Sequence, residues 1–229
     1  MKNITIAKDV KDVLSFNGIC VIVDFFRFST TVTALVWRNK YVRVYSDEKK
    51  VIDFLKNNNN FDVFSEKDLS IRKFDNSPYL ALYENIKDNV IIITNSGSKA
   101  VLGAKNSEII IGSLCNISSV KNHLYKKDKE IMIVPACIFF NPLHIEDFLI
   151  SEFMRDFFEE KNPNLSPIKN EIDRKGRIDE LKKLRKTAQK DLEIIFSIDK
   201  FDIVPLAFIK GDFAEVYDEK SSYKLIRRT

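Results

Sequence analysis

Five acidic residues fall where apolar runs end or helices begin: Asp24, Glu66, Asp75, Glu146 and Asp147. Asp24 follows Ile19-Cys20-Val21-Ile22-Val23 directly, and a carboxylate there is costly to bury unless it is paired or employed. After it come Phe25-Phe26-Arg27-Phe28-Ser29-Thr30-Thr31 and then an apolar stretch from Val32 to Trp37. A second passage repeats the pattern. Val90 to Ile93 runs into Thr94-Asn95-Ser96-Gly97-Ser98-Lys99, followed by Ala100 to Ala104. Small, hydroxylated residues at the start of a helix leave backbone N–H groups free. With the helix dipole and a nearby Arg27 or Lys99, those groups make an anion site. Such turns at the carboxyl ends of strands are where open α/β sheets bind ligands. The chemistry indicated is work on a phosphorylated or otherwise anionic small molecule. Ser29, Thr30 and Ser98 are equally readable as plain N-caps, a role that uses the same N–H groups.

Several routes to phosphate cleavage fail on residue type or spacing. Cys20 lies inside an apolar run, too far from Arg27 for a cysteine-centred phosphate loop. The two histidines, His123 and His144, have no neighbouring arginine in sequence. An aspartyl-phosphate route wants a second acid two residues after Asp24, where Phe26 stands. Gly97-Ser98-Lys99 reverses and shortens a P-loop. What remains is carboxylates with a divalent cation. Mg²⁺ takes oxygen ligands, commonly one or two carboxylates with water and substrate phosphate. Acids of this set of five would hold the metal, a third carboxylate would take the proton of the attacking water, and Arg27 or Lys99 would share the developing charge. Each acid taken alone reads as a cap or a surface charge; Asp24 is the exception because of its place at the end of a buried strand.

The elements that must position these residues alternate along the chain. Strands are expected at 3–7, 19–23, 41–45, 61–64, 90–93, 108–112 and 130–136. Helices are expected at about 30–38, 48–56, 78–83, 99–104, 118–125 and 145–158, the last with Ile145, Phe148, Leu149 and Phe153 on its apolar side. The passage 19–45 reads as a βαβ unit. The tail supplies one or two closing strands, at an edge because Pro205 interrupts the first. This order calls for an α/β fold, a multi-layer α/β sandwich in a single domain spanning 1–229. The segment 171–190 reads as one highly charged helix: a solvated flank in the bland reading, with nucleic-acid binding through its basic residues, or a lid over the pocket, as the alternatives.

Composition limits the partners. A net charge of +4, with basic and acidic residues interleaved, gives no reason to expect nucleic acid. Three cysteines without regular spacing argue for reduced thiols, and no run approaches the ~20 apolar residues of a membrane span. The expectation is a cytoplasmic protein acting on a small phosphate ester, with no membrane partner; a homodimer is compatible with the sequence.

The segment Val23-Asp24-Phe25-Phe26-Arg27-Phe28-Ser29-Thr30-Thr31-Val32-Thr33-Ala34 resembles the opening signature of the 2-phosphosulfolactate phosphatase family. Further pieces follow in that family's order: Glu66, then Phe74-Asp75-Asn76-Ser77-Pro78, then Thr94-Asn95-Ser96-Gly97-Ser98-Lys99-Ala100. Gly112-Ser113-Leu114-Cys115-Asn116, the pair Glu146-Asp147, Asp199 and Val204-Pro205 complete the set, over about residues 19–210. The resemblance implies a three-layer α/β/α sandwich with two related strand-turn-helix halves, at about 1–85 and 86–229, and Mg²⁺-dependent hydrolysis of a phosphate ester on a 2-hydroxy acid bearing sulfonate, a reaction of coenzyme M biosynthesis. The alternative is a non-catalytic anion- or metabolite-binding relative of the same family. The resemblance implies Asp24, Glu66, Glu146 and Asp147 as metal ligands. It also implies Ser29, Thr30, Asn76, Ser96, Gly97, Ser98, Lys99 and Asn116 as substrate contacts, with Asp24, Arg27, Glu66 and Asp147 carrying catalysis.

Overall fold

A computed structural model describes residues 3–221. The strands are β1 (Ile4–Ile6), β2 (Ile19–Val23), β3 (Tyr41–Tyr45), β4 (Phe61–Phe64), β5 (Asn89–Ile92), β6 (Glu108–Ile111), β7 (Ile131–Pro135), β8 (Pro205–Lys210) and β9 (Phe213–Asp218). The helices are α1 (Val10–Ser15), α2 (Phe28–Trp37), α3 (Glu48–Lys56), α4 (Pro78–Tyr83), α5 (Gly97–Gly103), α6 (Ile117–Tyr125), α7 (Ile145–Phe158), α8 (Leu165–Arg174), α9 (Arg177–Leu184) and α10 (Ala188–Ile195). Most bounds follow the apolar runs and caps read from sequence. Asp47 caps α3, and Ser77 caps α4 with Pro78 in its first turn, where a missing N–H costs nothing. The short helix α1 has too little apolar content to announce itself. A reciprocal capping box between Asp9 and Asp12 starts it.

One sheet runs through the molecule in the order β1-β7-β2-β6-β8-β9-β3-β5-β4. Its two flanks are parallel groups, β1-β7-β2-β6 and β3-β5-β4. Between them the antiparallel hairpin β8-β9 pairs with β6 on one side and β3 on the other. Three reversals separate β2 from β3, so the two run in opposite directions. The passage 19–45 is therefore not a parallel βαβ unit: α2 carries the chain from one group to the other, and α5 carries it back. The closing strands are central, not at an edge. Pro205 opens β8, where a strand tolerates the loss of an N–H. The sheet interleaves strands from before and after residue 85.

Helices cover both faces, giving the expected α/β/α layers. One core gathers Phe28, Val32 and Leu35 of α2, Ala81 of α4, and Ala100 and Val101 of α5. The other packs Ile117, Val120 and Leu124 of α6 and Ile150, Phe153 and Met154 of α7 against the far side of β2 and β7, with Ile172, Ile178 and Ile195 beside them. The inward face of α7 is offset from the apolar stripe expected. Glu146, Asp147, Ile150, Ser151, Phe153, Met154 and Phe158 are buried, whereas Ile145, Phe148 and Leu149 are only half-buried. The charged segment 171–190 is not one helix. Gly176 ends α8 in the left-handed conformation (φ 74°), and Arg185 turns extended after α9 before α10 begins. No helix among the described residues is long and apolar enough to cross a membrane.

Candidate active site

Two strand-to-helix turns meet at one carboxylate. In the turn after β2, the Asp24 N–H donates to Ser29 Oγ (2.9 Å) and Asp24 Oδ1 accepts from the Phe28 N–H (3.2 Å). The turn after β5 has the same local wiring. The Thr94 N–H donates to Ser98 Oγ (2.9 Å), and Thr94 Oγ1 accepts from the Ser98 N–H (3.1 Å). Asp24 then reaches across: its Oδ2 accepts from Ser96 Oγ (2.6 Å) and from the Gly97 N–H (2.9 Å). The anion at the N-termini of α2 and α5 is thus the protein's own Asp24. Gly97 permits this approach, because a Cβ there would lie 2.4 Å from the Phe28 ring and 2.8 Å from Asp24 Oδ2.

Two more acids are held in the same manner. Asp147, at the start of α7, accepts from the Phe25 N–H and the Cys137 N–H, both at 2.8 Å. Glu66, just past β4, accepts from the Asn95 N–H (2.6 Å) and from Asn76 Nδ2 (3.0 Å). Burial raises the pKa of all three carboxyls above the ordinary range, and like charges add to it. Glu146 repels Asp24, Asp24 repels Glu66, and both Asp24 and Glu146 repel Asp147. These side chains form one electrostatic unit.

Cations close over it. Arg27, 2% exposed, gives Nη1 to Asp191 Oδ2 and Nη2 to Asp75 Oδ2, each at 2.7 Å. Asp191 is fully buried on α10 and also accepts from Ser77 Oγ, the Tyr79 N–H and Thr187 Oγ1. From α9, Arg177 makes a two-pronged pair with Glu146 (2.7 and 2.8 Å) and a further contact with Glu180. Arg185 approaches the other oxygen of Asp75 at 3.3 Å. Between acids and cations lies a cleft of about 290 Å³ lined by Phe26, Arg27, Glu66, Asn76, Asn95, Ser96, Phe140, His144, Arg177, Glu180, Leu181, Leu184 and Arg185. Larger grooves of about 700 and 640 Å³ lie elsewhere, and neither is lined by these acids or turns.

The sequence matches the 2-phosphosulpholactate phosphatase family over residues 4–208. The chain belongs to that family. It is similar to a probable 2-phosphosulfolactate phosphatase of Thermoplasma volcanium, 28% identical over 207 residues, covering 86% of this chain and 92% of the relative. A protein of the same name from Thermoplasma acidophilum is 26% identical over 212 residues, 89% of this chain and 92% of the relative. The 2-phosphosulfolactate phosphatase of Methanothermobacter thermautotrophicus is 26% identical over 135 residues, 58% of each. As a member of the 2-phosphosulpholactate phosphatase family, the chain is a phosphoric monoester hydrolase.

Of the residues expected at the family's site, Asp24, Arg27, Glu66, Asn76, Ser96, Gly97, Glu146 and Asp147 do come together. Others do not reach the cleft. Lys99 is exposed, with its ammonium over the Phe140 ring (5.8 Å). Asn116 is buried and ties the end of β6 to the segment before β8, through Ser113, Ile111 O and Ile203 O. Ser29 and Ser98 turn their hydroxyls into their own turns, as N-caps do, and Thr30 is buried in α2. The solvated-flank expectation for 171–190 is also corrected: α9 lies over the cleft, with Arg177, Leu181, Leu184 and Arg185 among its walls. Asp191 was invisible in the sequence, an ordinary acid in a charged stretch. Arg177 and Arg185 were visible only as two of many basic residues there.

Proposed function

We propose that this chain is a Mg²⁺-dependent phosphatase hydrolysing a small anionic phosphate ester, 2-phosphosulfolactate or a related phosphorylated 2-hydroxy acid. The observation that carries the proposal is the pairing just described: mutually repelling carboxylates beneath a cleft rimmed by Arg27, Arg177 and Arg185. The names of the relatives supply the substrate class.

The donor set fits Mg²⁺. Among the described residues no three His, Cys, Asp or Glu side chains converge as a ready ligand set. A Mg²⁺ site does not need that many, since the ion keeps several waters and takes one or two carboxylates besides phosphate. Asn76 Oδ1 adds a hard oxygen, buried and without a hydrogen-bond partner at the cleft wall. Asp24 and Asp147, with Glu66 and Glu146 nearby, are the residues that would hold the ion. When bound, it would neutralise phosphoryl oxygens and favour the hydroxide form of a coordinated water.

The chain's own groups do the rest. Glu66 lines the cleft as the carboxylate that would take the proton of the attacking water, and burial raises its pKa above the ordinary carboxylate range. Arg27 is fixed by Asp75 and Asp191, yet only two of its five N–H donors are committed to them, so it faces the phosphoryl group pre-aimed. Phe26, Phe140, Leu181 and Leu184 give the cleft apolar walls that lower its polarity.

The test is phosphate release from a panel of phosphorylated 2-hydroxy acids, with Mg²⁺ and with chelator. Release is expected only with Mg²⁺. Asp24→Asn is expected to lose about 100-fold or more, of the order seen when one transition-state stabiliser is removed, with circular dichroism unchanged. Equal release in chelator would refute the metal requirement, and full activity of Asp24→Asn would remove that residue from the mechanism.

A further inference from the structure

The three guanidiniums of the cleft are not equally engaged. Arg27 is buried between two carboxylates. Arg177 spends Nε and Nη2 on Glu146 and Nη1 on Glu180, so it clamps α9 to the acidic floor. Arg185 is different. Its side chain is 28% exposed, it lines the cleft, and among the described residues it makes a single long ion pair, 3.3 Å, to Asp75 Oδ1. Four of its five N–H donors are left for other partners. Asp75 Oδ2 meanwhile receives Arg27. One carboxylate therefore spaces a fixed, buried guanidinium and a loosely held one along the same wall.

We propose that Arg185 determines specificity by binding a second anion of the substrate, a carboxylate or sulfonate a few bonds from the phosphate. The inference rests on the phosphatase reading for the role of Arg27. A guanidinium fork matches a planar or tetrahedral oxyanion with two parallel hydrogen bonds. Leu181 and Leu184 of α9, with Phe140, line the same cleft as Arg185 and give it apolar surface that reduces competition with water. The end of α9 fixes the backbone: the Arg185 N–H donates to Leu181 O (2.9 Å), and the chain turns extended there, aiming the side chain back over the cleft. The substrate class that fits is a phosphate monoester with an acid group on the same or the next carbon.

The experiment compares kcat/KM for acid-bearing esters with that for isopropyl phosphate, which keeps the carbon skeleton and lacks the acid. Phospholactate carries only the carboxylate, and 1-sulfopropan-2-yl phosphate only the sulfonate, so the two arms show which acid is read. In Arg185→Gln the preference for the acid-bearing ester is expected to fall about tenfold or more, chiefly through KM, with Arg185→Lys in between because it keeps the charge without the fork. A preference unchanged in Arg185→Gln overturns the proposal, whether both substrates weaken together or neither does. A second measurement needs no turnover: calorimetric binding of lactate and of sulfolactate. About tenfold weaker binding by Arg185→Gln supports the assignment even if no ester is hydrolysed, a result that would count against the phosphatase reading alone. Equal affinities would reject it.

Discussion

The floor and the roof of the cleft are built by different means. On the floor, Asp24, Asp147 and Glu66 are gripped mainly by backbone N–H groups of β-to-α turns, so their positions follow from the course of the chain. The roof is held by side chains meeting side chains: Arg177 with Glu146, Arg185 with Asp75, and Asp191 with Arg27, Ser77 and Thr187. A floor of that kind can change only if the fold changes. A roof of this kind can be altered by single substitutions, so it is the natural place for substrate preference to differ between relatives.

The largest test of this contrast strikes the roof's anchor. Asp191→Ala leaves Arg27 buried with one carboxylate instead of two, and breaking such a pair costs about 3–5 kcal/mol. Urea unfolding would read it as a shifted midpoint at constant slope. A cost below about 1 kcal/mol would mean that α10 is not anchored through this residue.

A smaller effect is expected on the floor. Gly97→Ala drives a methyl group into the Phe28 ring and toward Asp24 Oδ2, both already closer than contact distance. Overpacking of this kind typically costs about 1–3 kcal/mol. It should also depress turnover beyond the change in stability, since it moves the carboxylate. Loss of stability with unchanged turnover would separate the turn from the chemistry.

Acid titration sharpens the comparison from outside the cleft. The floor acids have raised pKa values, whereas Glu108 at the start of β6 is lowered from 4.5 to about 2 by its hydrogen bond to His123, against burial and with help from Lys127. A lowered folded-state pKa means that Glu108 supports the fold above about pH 4.5 and that this support is lost as pH falls toward 2. Because the group is partly exposed, the contribution is expected to be under about 1 kcal/mol. Glu108→Gln should therefore flatten the decline in stability between pH 4.5 and pH 2; an unchanged decline would leave it to other carboxylates. The smallest effect belongs to the outer side of the roof. Changing the exposed Lys182, Lys183 and Lys186 together to Gln should cost about 0.5 kcal/mol or less per site and leave kcat/KM intact. A drop in turnover would extend the working surface of α9 beyond Arg185.

The same contrast explains what could be read without coordinates. Asp24 stood out because an acid ending a five-residue apolar run is anomalous within a few positions of sequence. A multi-layer α/β sandwich followed from alternating periodicities, which are also local, and its three layers from the family resemblance. The sheet order did not: β8 and β9 looked like an afterthought, yet they occupy its middle, because pairing partners are set by packing across the whole chain. Arg177 and Arg185 were hidden for a related reason. Their partners lie 31 and 110 residues away, and nothing in a charged stretch tells a committed arginine from a solvated one. Asn116 and Lys99 differ in the other direction: the family resemblance put Asn116 and the strand-to-helix turn put Lys99 at a ligand contact, while the first braces β6 and the second sets its ammonium over the Phe140 ring.

The hairpin β8-β9 has a consequence for how the protein comes into being. During synthesis all seven strands of the two parallel groups emerge before it, and through the sheet those groups are joined only by way of its pairings with β6 and β3. Until residues 205–218 have left the ribosome, the inner edges of β6 and β3 lack their partners and present open backbone donors and acceptors. The nascent chain therefore passes late through a state that invites pairing with another copy, and its yield in a cell will depend on how quickly the last strands close that gap.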